Sequence, residues 1–172
     1  MKQINYFLLS AGLLLSASCT KLNENLYSTL DAANFYKNEQ ECVLAVGDAY
    51  TQLAYQGGKL WGIYGTQTVT TDEAVIPYRT QGPFLSNNGI WVDLHQHHFL
   101  ANNNPILSSW QYSFKTAAAC NQVIFQIENS PTTFSGKPKM IAELKLLRAY
   151  AYFTALDMFG NIPISLDFRD TT

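Results

Sequence analysis

Charged side chains are scarce in this chain, and basic ones are not in excess. They make up 14% of the 172 residues, against 47% that are hydrophobic, and the formal net charge is −2. So large an apolar share argues against disorder, and the length suffices for one domain with an adequate core. The chain has no excess of positive charge that could bind phosphate groups, so nucleic acid is not an expected partner.

Several catalytic signatures are also lacking. The sequence contains no glycine-rich phosphate loop, no Ser-His-Asp constellation and no dinucleotide fingerprint. Asp72-Glu73 invites comparison with the carboxylate pair of a glycosidase, but adjacent residues of an extended segment point to opposite faces and cannot flank one bond. The chain is therefore not predicted to be an enzyme, and no cofactor is expected.

Metal-binding residues are few. His95, His97 and His98 form the one cluster of metal-ligand type, and an extended backbone would put His95 and His97 on the same face. No cysteine lies nearby, and the pattern fixes no fourth ligand. An exposed polar strand or loop is the favoured interpretation, so no metal site is predicted.

The chain begins with the features of an export signal. Lys2 supplies a positive charge, residues 6–15 are nearly all apolar, and small residues precede Cys19. The apolar run is too short to span a bilayer. We interpret residues 1–18 as a bacterial lipoprotein signal peptide and Cys19 as the acylated first residue of the mature protein. An ordinary secretory signal with an incidental cysteine is the alternative, since Ser16 replaces the usual lipobox Leu.

Two long helices are predicted downstream. Asn38 and Glu41 form a capping-box pattern in which Glu41 reaches back to the Asn38 amide, and the helix that follows ends at Gly57-Gly58. A second helix runs from about residue 105 to 129. Its predicted buried stripe consists of Trp110, Phe114, Ala117, Cys120, Ile124 and Ile127.

The chain is organised around a third helix, in residues 142–164. Apolar side chains cover nearly its whole circumference, so we expect other helices to surround it, with Leu147 and Phe153 in the core. Gly160 and Pro163 predict its end.

Arg148 and two cysteines are expected within the helical packing. An unpaired charge is costly on so apolar a helix, so Arg148 is predicted to form a structural ion pair. Cys42 and Cys120 lie on apolar stripes, which favours free buried thiols, although export leaves a disulfide open. The possible partners of Arg148 are Asp48, Glu128 and Glu143.

Residues 60–100 differ in character from the helices around them. Glycine, proline and Asn87-Asn88-Gly89 interrupt short aromatic and β-branched pieces, so we expect a long loop-rich excursion of functional type. The predicted fold is mainly α, an α-α superhelix of tetratricopeptide-like helix pairs that carries this excursion.

The third helix also carries a family resemblance. Residues 143–153 read Glu-Leu-Lys-Leu-Leu-Arg-Ala-Tyr-Ala-Tyr-Phe, and residues 157–164 read Asp-Met-Phe-Gly-Asn-Ile-Pro-Ile. Together they resemble the signature helix and exit turn of the SusD/RagB family of outer-membrane nutrient-binding lipoproteins. The order of lipoprotein signal, capped helix, Thr71-Asp72-Glu73-Ala74 and Trp110-Gln111-Tyr112 with Cys120-Asn121 is similar to the amino-terminal part of that family.

The resemblance implies a surface-exposed protein, lipid-anchored in the outer membrane, that captures a glycan or an oligopeptide. It would deliver this ligand to a SusC-like TonB-dependent transporter. Family members are much longer, so residues 19–172 are expected to be an incomplete amino-terminal helical domain. Glycan-binding members use an acidic residue, an Arg and a Trp, and the nearest positions here are Asp72, Arg79 and Trp91, with Asn88 or Asn87 as hydrogen-bond donor. A core or loop-packing role is equally open for each.

Two other functions stay open. One is a surface helical-repeat scaffold for protein partners, and the other is a lipoprotein glycoside hydrolase. Ligand-protected aromatic residues in the excursion would favour nutrient binding, a partner held in helical grooves would favour the scaffold, and a correctly spaced acid pair would favour the hydrolase.

Replacing Cys19 by Ala is expected to release the protein from the membrane fraction, because acyl chains contribute about 0.8 kcal/mol per buried methylene and no other anchor is predicted. Cell fractionation measures the effect. Cys42→Ala, which removes a cysteine outside the signal, is the control and should stay membrane-bound. Unchanged membrane association of Cys19→Ala would show that the lipoprotein interpretation is wrong.

Overall fold

The computed structural model describes residues 35–78 and 87–169, all within one unit, Ala32–Thr172. These residues contain no strand, so the mainly helical prediction is confirmed. None of their helices has the length and apolar character needed to cross a membrane. The predicted signal peptide, Cys19 and Arg79 lie outside the described residues.

The helices are α1 (Glu39–Gly58), α2 (Ile63–Val69), a 3-10 turn (Asn87–Gly89), α3 (Ile90–His95), α4 (Asn104–Asn129) and α5 (Lys137–Phe159).

Helix α1 begins where the capping pattern predicts, with one difference in detail. The Glu41 backbone amide donates to Asn38 Oδ1 at 2.9 Å. The Glu41 carboxylate accepts from the Lys37 backbone amide at 2.7 Å and from the Asn38 side-chain amide at 2.8 Å. The predicted bond to the Asn38 backbone amide is therefore replaced by a bond one residue earlier, and Asn38 and Glu41 still fix the first turn together.

Helix α4 makes its most extensive contacts with α1 and α5. A short connection, residues 130–136, returns the chain from α4 to α5, so these two helices are antiparallel neighbours. The core between the three long helices is built from short and branched apolar side chains. It comprises Cys42, Ala45, Val46 and Ala49 of α1, Cys120, Val123, Ile124 and Ile127 of α4, and Leu144 and Leu147 of α5.

In the first half of α4 the buried face is small and polar rather than aromatic. Ser109, Ser113 and Thr116 are buried, and each hydroxyl donates to the carbonyl four residues earlier at 2.8 Å. The predicted stripe is right from Ala117 onward, but Trp110 and Phe114 are only half-buried. Small side chains on this face let neighbouring helices approach closely, which the bulky rings would prevent.

Gln56 joins three helices at the level of these hydroxyls. Its Nε2 donates to Ser113 Oγ of α4 at 3.3 Å and to Thr154 Oγ1 of α5 at 2.5 Å. The side chain is fully buried, and Oε1 has no hydrogen-bond partner in the described part of the chain. Because a buried amide is costly unless it is bonded, these two bonds favour one register of α1 against α4 and α5.

Helix α5 is buried on one face only. Leu144, Leu147, Ala151 and Ala155 are buried on that face. The expectation that Phe153 lies in the core is wrong, since the residue is 64% exposed. The helix is apolar nearly all round, so its sequence pattern does not indicate which side packs. The exposed face, named here the α5 stripe, consists of Leu146, Tyr150, Phe153 and Leu156.

Helix α5 ends at Gly160, as predicted. Gly160 has a φ of +72°, and its amide donates to the Leu156 carbonyl at 2.9 Å. A residue with a side chain is strained at such a φ, so glycine is required for this exit from the helix.

Arg148 hydrogen-bonds neutral acceptors. Its Nη1 donates to Asn121 Oδ1 at 2.5 Å and to the Leu166 carbonyl at 3.0 Å. Among the described residues the predicted ion pair with Asp48, Glu128 or Glu143 does not form, so that prediction is wrong. The physical reason is exposure: Arg148 is half-buried, so water and two oxygen acceptors compensate its charge without a carboxylate.

The excursion is more helical than predicted. Helices α2 and α3 pack around a second, smaller core of Val69, Trp91 and Leu94. Gly65 allows α2 to lie against the preceding turn, because a Cβ at this position would come within 1.7 Å of the Leu60 carbonyl oxygen. Glycine therefore marks close packing here rather than an open loop.

The preference for free thiols is confirmed, since Cys42 and Cys120 are both buried and unbridged. Burial raises the pKa of the Cys120 thiol to about 11, and it also raises the pKa of Cys42. The thiolate is the reactive form of cysteine, so neither thiol is activated within the fold.

Leu147→Ala is expected to destabilise the protein far more than Phe153→Ala, because Leu147 is only 8% exposed and lies in the core of the three long helices. Truncating a buried Leu costs about 2–5 kcal/mol, whereas substitutions at exposed sites usually cost about 0.5 kcal/mol or less. Urea unfolding measures both free energies. Equal losses would mean that Phe153 is covered in solution.

The α5 stripe is expected to bind a hydrophobic dye, since contiguous exposed apolar side chains attract such probes. The double variant Leu146→Lys/Phe153→Lys should lower dye fluorescence and aggregation. Leu44→Lys, which removes an exposed leucine of α1 away from the stripe, is the matched control. Dye binding that falls equally in both variants would show that the stripe is not the site of the effect.

Candidate functional site

The structure does not gather the site residues predicted from the sequence. Asp72 is exposed in the turn after α2, and Asn88 is exposed in the 3-10 turn with a φ of +56°. Arg79 lies outside the described residues. Within residues 35–78 and 87–169, no hydrogen bond or ion pair joins Asp72, Asn88 and Trp91. No described contact makes these residues one site.

Trp91 is a core residue, contrary to the expectation that the preceding turn presents its ring at the surface. Only 1% of the residue is exposed, and its ring centroid lies 5.2 Å from that of Trp61. Helix α3 begins directly after Gly89, which places Trp91 and Leu94 on one helical face and turns both inward. The Trp91 Nε1 is buried and lacks a hydrogen-bond partner among the described residues.

The histidine cluster covers the end of α2. His95 Nδ1 lies 3.1 Å from the Val69 carbonyl oxygen, and His97 Nε2 lies 2.9 Å from that of Thr70. A carbonyl can only accept, so each of these ring nitrogens carries the proton. His97 and His98 lie in an exposed turn and loop, as expected from the sequence, whereas His95 is the half-buried last residue of α3. The described residues contain no group of three His, Cys, Asp or Glu side chains that could hold a metal ion.

A cleft opens where α2 and α5 both end. Its volume is about 340 Å³, within the range of about 300–1,000 Å³ found for small-ligand sites. The last turn of α2 forms one wall and the last turn of α5 forms the other. The lining of this α2–α5 cleft is Thr66, Gln67, Thr70, Phe99, Ile106, Asp157, Met158 and Phe159.

Apolar groups form most of the lining of the α2–α5 cleft. The Phe159 ring meets Trp110 edge-on, with centroids 5.1 Å apart, which fixes its orientation. Phe99 is 40% exposed, and its nearest aromatic neighbour among the described residues is His97, with ring centroids 6.4 Å apart. Phe99 therefore has the ring best able to contact a ligand.

The polar groups of the α2–α5 cleft are mostly acceptors. The Thr66 hydroxyl bonds the Gly62 carbonyl at 3.1 Å, and the Thr70 hydroxyl donates to the Thr66 carbonyl at 2.8 Å. Gln67 Nε2 lies 3.5 Å from Asp157 Oδ2, at the outer limit of a hydrogen bond. Asp157 is exposed and, among the described residues, is the one formally charged residue of the lining. The oxygens of Asp157 and Gln67 are therefore available to a ligand that donates.

Sequence reasoning placed the ligand contacts in the excursion, which supplies Thr66, Gln67, Thr70 and Phe99 of the lining, but it missed the cleft and its α5 wall. Asp157 and Phe159 belong to the exit of the third helix, where the pattern indicates only a helix end. Gln67 lies 90 residues before Asp157, and no local spacing joins the two. An acidic residue in the last turn of a helix, with no basic residue beside it, was the available signal.

A second cleft, of about 480 Å³, lies beside Phe125. The Arg169 guanidinium lies 5.0 Å from the Phe125 ring centroid and pairs with Asp167 at 3.7 Å. Glu128 on the rim pairs with Lys145 at 3.9 Å. Since the charged groups of this cleft have partners within the protein, the α2–α5 cleft is the better candidate for ligand binding.

Comparison with protein-family models, curated proteins and solved structures finds no match for this chain. The described residues define the class only coarsely, as a mainly helical protein with an amphipathic cleft of ligand size. The likeness to SusD/RagB lipoproteins rests on the residues quoted above.

Proposed function

We propose that the chain is the helical part of a cell-surface nutrient-binding lipoprotein of the SusD/RagB type. It captures a glycan or peptide and passes it to a SusC-like TonB-dependent transporter of the outer membrane. Cys19 carries the lipid anchor, and the helices belong to a superhelix of tetratricopeptide-like pairs. The α2–α5 cleft is the observation that supports ligand capture, while the anchor and the transporter rest on the sequence.

Capture in the α2–α5 cleft is physical rather than covalent. Phe99 and Phe159 cover apolar faces of the ligand, and the oxygens of Asp157 and Gln67 accept its hydrogen bonds. A site that mixes a few polar groups with aromatic walls gains affinity from apolar burial and orientation from the polar groups.

The walls of the cleft belong to helices that the fold holds in place. The Thr66 hydroxyl of α2 lies 3.0 Å from that of Ser109 on α4, and the Gln56 amide of α1 bonds Thr154 on α5. A site that is already rigid before binding loses less conformational entropy when the ligand binds. This smaller entropic cost favours measurable affinity even for a small cleft.

A second candidate function is a surface scaffold for protein partners. The α5 stripe favours it, because a contiguous exposed apolar face is a common feature of protein interaction surfaces. The nutrient-binding function remains the first proposal, since it uses the cleft and the quoted sequence resemblance together.

Phe99→Ala is expected to weaken ligand binding by about 1–2 kcal/mol, roughly five- to thirtyfold, because it removes an exposed aromatic wall of the cleft. The neighbouring Leu100→Ala is the matched control: Leu100 is 73% exposed and does not line the cleft. Isothermal titration against a panel of soluble polysaccharides and defined peptides gives the affinities, and thermal melts of all three proteins run alongside.

The nutrient-binding proposal predicts a member of the panel that binds the unmodified protein and loses affinity only in Phe99→Ala. Equal binding by both variants would remove the α2–α5 cleft as the capture site. Binding of a protein partner that depends on the α5 stripe, with no glycan or peptide effect, would support the scaffold instead.

A further inference from the structure

We propose that the α2–α5 cleft selects the cationic side chain of a peptide, a lysine or an arginine. The charged end lies at the Asp157 carboxylate, and the methylene stem lies against Phe99 and Phe159. This inference rests on the proposed capture function and names the class of ligand that the same cleft takes.

The electrostatics of the cleft favour a cation. Among the described residues, Asp157 is the one formal charge of the lining, and it forms no ion pair with any of them. It lies in the last turn of α5, which contains no basic residue, so the partial negative charge of the helix end adds to that of the carboxylate. The carbonyls at the end of α2 are already bonded by His95 and His97, so the uncompensated negative charge lies on the α5 side.

The hydrogen-bonding groups point to the same ligand. The hydroxyl hydrogens of Thr66 and Thr70 are engaged within α2, and Gln67 Nε2 faces Asp157. Apart from the second N–H of Gln67 Nε2, what remains is acceptor capacity. An ammonium has three donors and no acceptor, and a guanidinium has five donors and no acceptor, so both match a site that mainly accepts. Sugar hydroxyls both donate and accept, and their acceptor sites would find few donors here.

The apolar walls of the cleft provide a surface for the aliphatic part of the lysine or arginine side chain. Lysine and arginine carry a flexible aliphatic chain that packs on apolar surface while the charged group reaches a polar partner. Phe99, Met158 and Phe159 provide such surface beside Asp157. An aromatic ring also attracts a cation placed over its face. Neither a fully apolar nor an acidic side chain uses both features of the cleft.

Defined peptides test the inference on the purified full chain. The probes are acetylated and amidated Gly-Gly-X-Gly-Gly peptides in which X is lysine, arginine, norleucine or glutamate. Norleucine keeps the apolar stem and lacks the charge, so lysine and arginine peptides should bind at least about tenfold more tightly than the norleucine peptide, and the glutamate peptide should bind most weakly. Calorimetric titration gives the dissociation constants.

Asp157→Asn should remove the preference for lysine over norleucine. Asp72→Asn neutralises an exposed carboxylate outside the lining and should keep the preference. Rising salt concentration should shrink the preference in the unmodified protein, because exposed charges are screened, and should have no such effect in Asp157→Asn. Thermal melts of each variant confirm that it is folded.

Equal affinity for the lysine and norleucine peptides would overturn the inference, as would a lysine preference that survives in Asp157→Asn. Polysaccharide binding that depends on Phe99, without lysine-peptide binding, would overturn cation selection and leave nutrient capture standing. If neither the peptides nor the polysaccharide panel binds, capture by this cleft fails, and cation selection fails with it.

Discussion

The close approach of α1, α4 and α5 at small hydrogen-bonded residues is the constraint on which the rest of the structure depends. Ser109 and Ser113 present short side chains to their neighbours, and their hydroxyls bond backbone carbonyls of α4 itself. The space that they leave admits the Gln56 amide, which bonds both α4 and α5. A buried amide is costly when its hydrogen bonds are broken, so the bonds of Gln56 hold the three helices in one register. Apolar contacts specify the register less tightly, because one apolar contact can replace another.

The same buried polar residues also position the α2–α5 cleft. Ser109 lies one helical turn from Ser113 on α4, and it meets Thr66, which places α2. On α5, Thr154 receives the Gln56 bond and lies three residues before Asp157, on the same side of the helix. The bonds that set the helix packing therefore hold both walls of the cleft. A change in register at Gln56 would move Asp157 relative to Gln67, although the described hydrogen bonds of Gln56 go to Ser113 and Thr154 instead.

The sequence predicts those parts of the fold that depend on local chemistry. Asn38 with Glu41 and the left-handed Gly160 mark helix ends, because caps and positive φ values demand particular residues. Whether a residue is buried depends on which other helix packs against it. Apolar residues surround α5, so Phe153 and Leu147 cannot be distinguished by sequence, although only Leu147 is buried. The turn before Trp91 has the expected conformation, but the helix that follows turns the ring inward. The cleft is beyond sequence reasoning for the same reason, since its walls are far apart in the chain and are brought together by packing on α4.

Asp157 is hard to explain as a purely structural residue. A carboxylate near the C-terminal end of a helix opposes the helix dipole, at a cost of about 0.3–1 kcal/mol, and the last turn of α5 has no basic residue to offset it. Its one described hydrogen-bond contact, with Gln67, is at the limit of bonding distance and therefore contributes little stabilisation. An asparagine here would avoid the repulsion and keep the size of the side chain. A cation bound in the cleft would be attracted both to the carboxylate and to the helix end, which offsets their mutual repulsion, so binding of the cation should stabilise the fold. The arrangement fits a group placed for a ligand better than one placed for the fold.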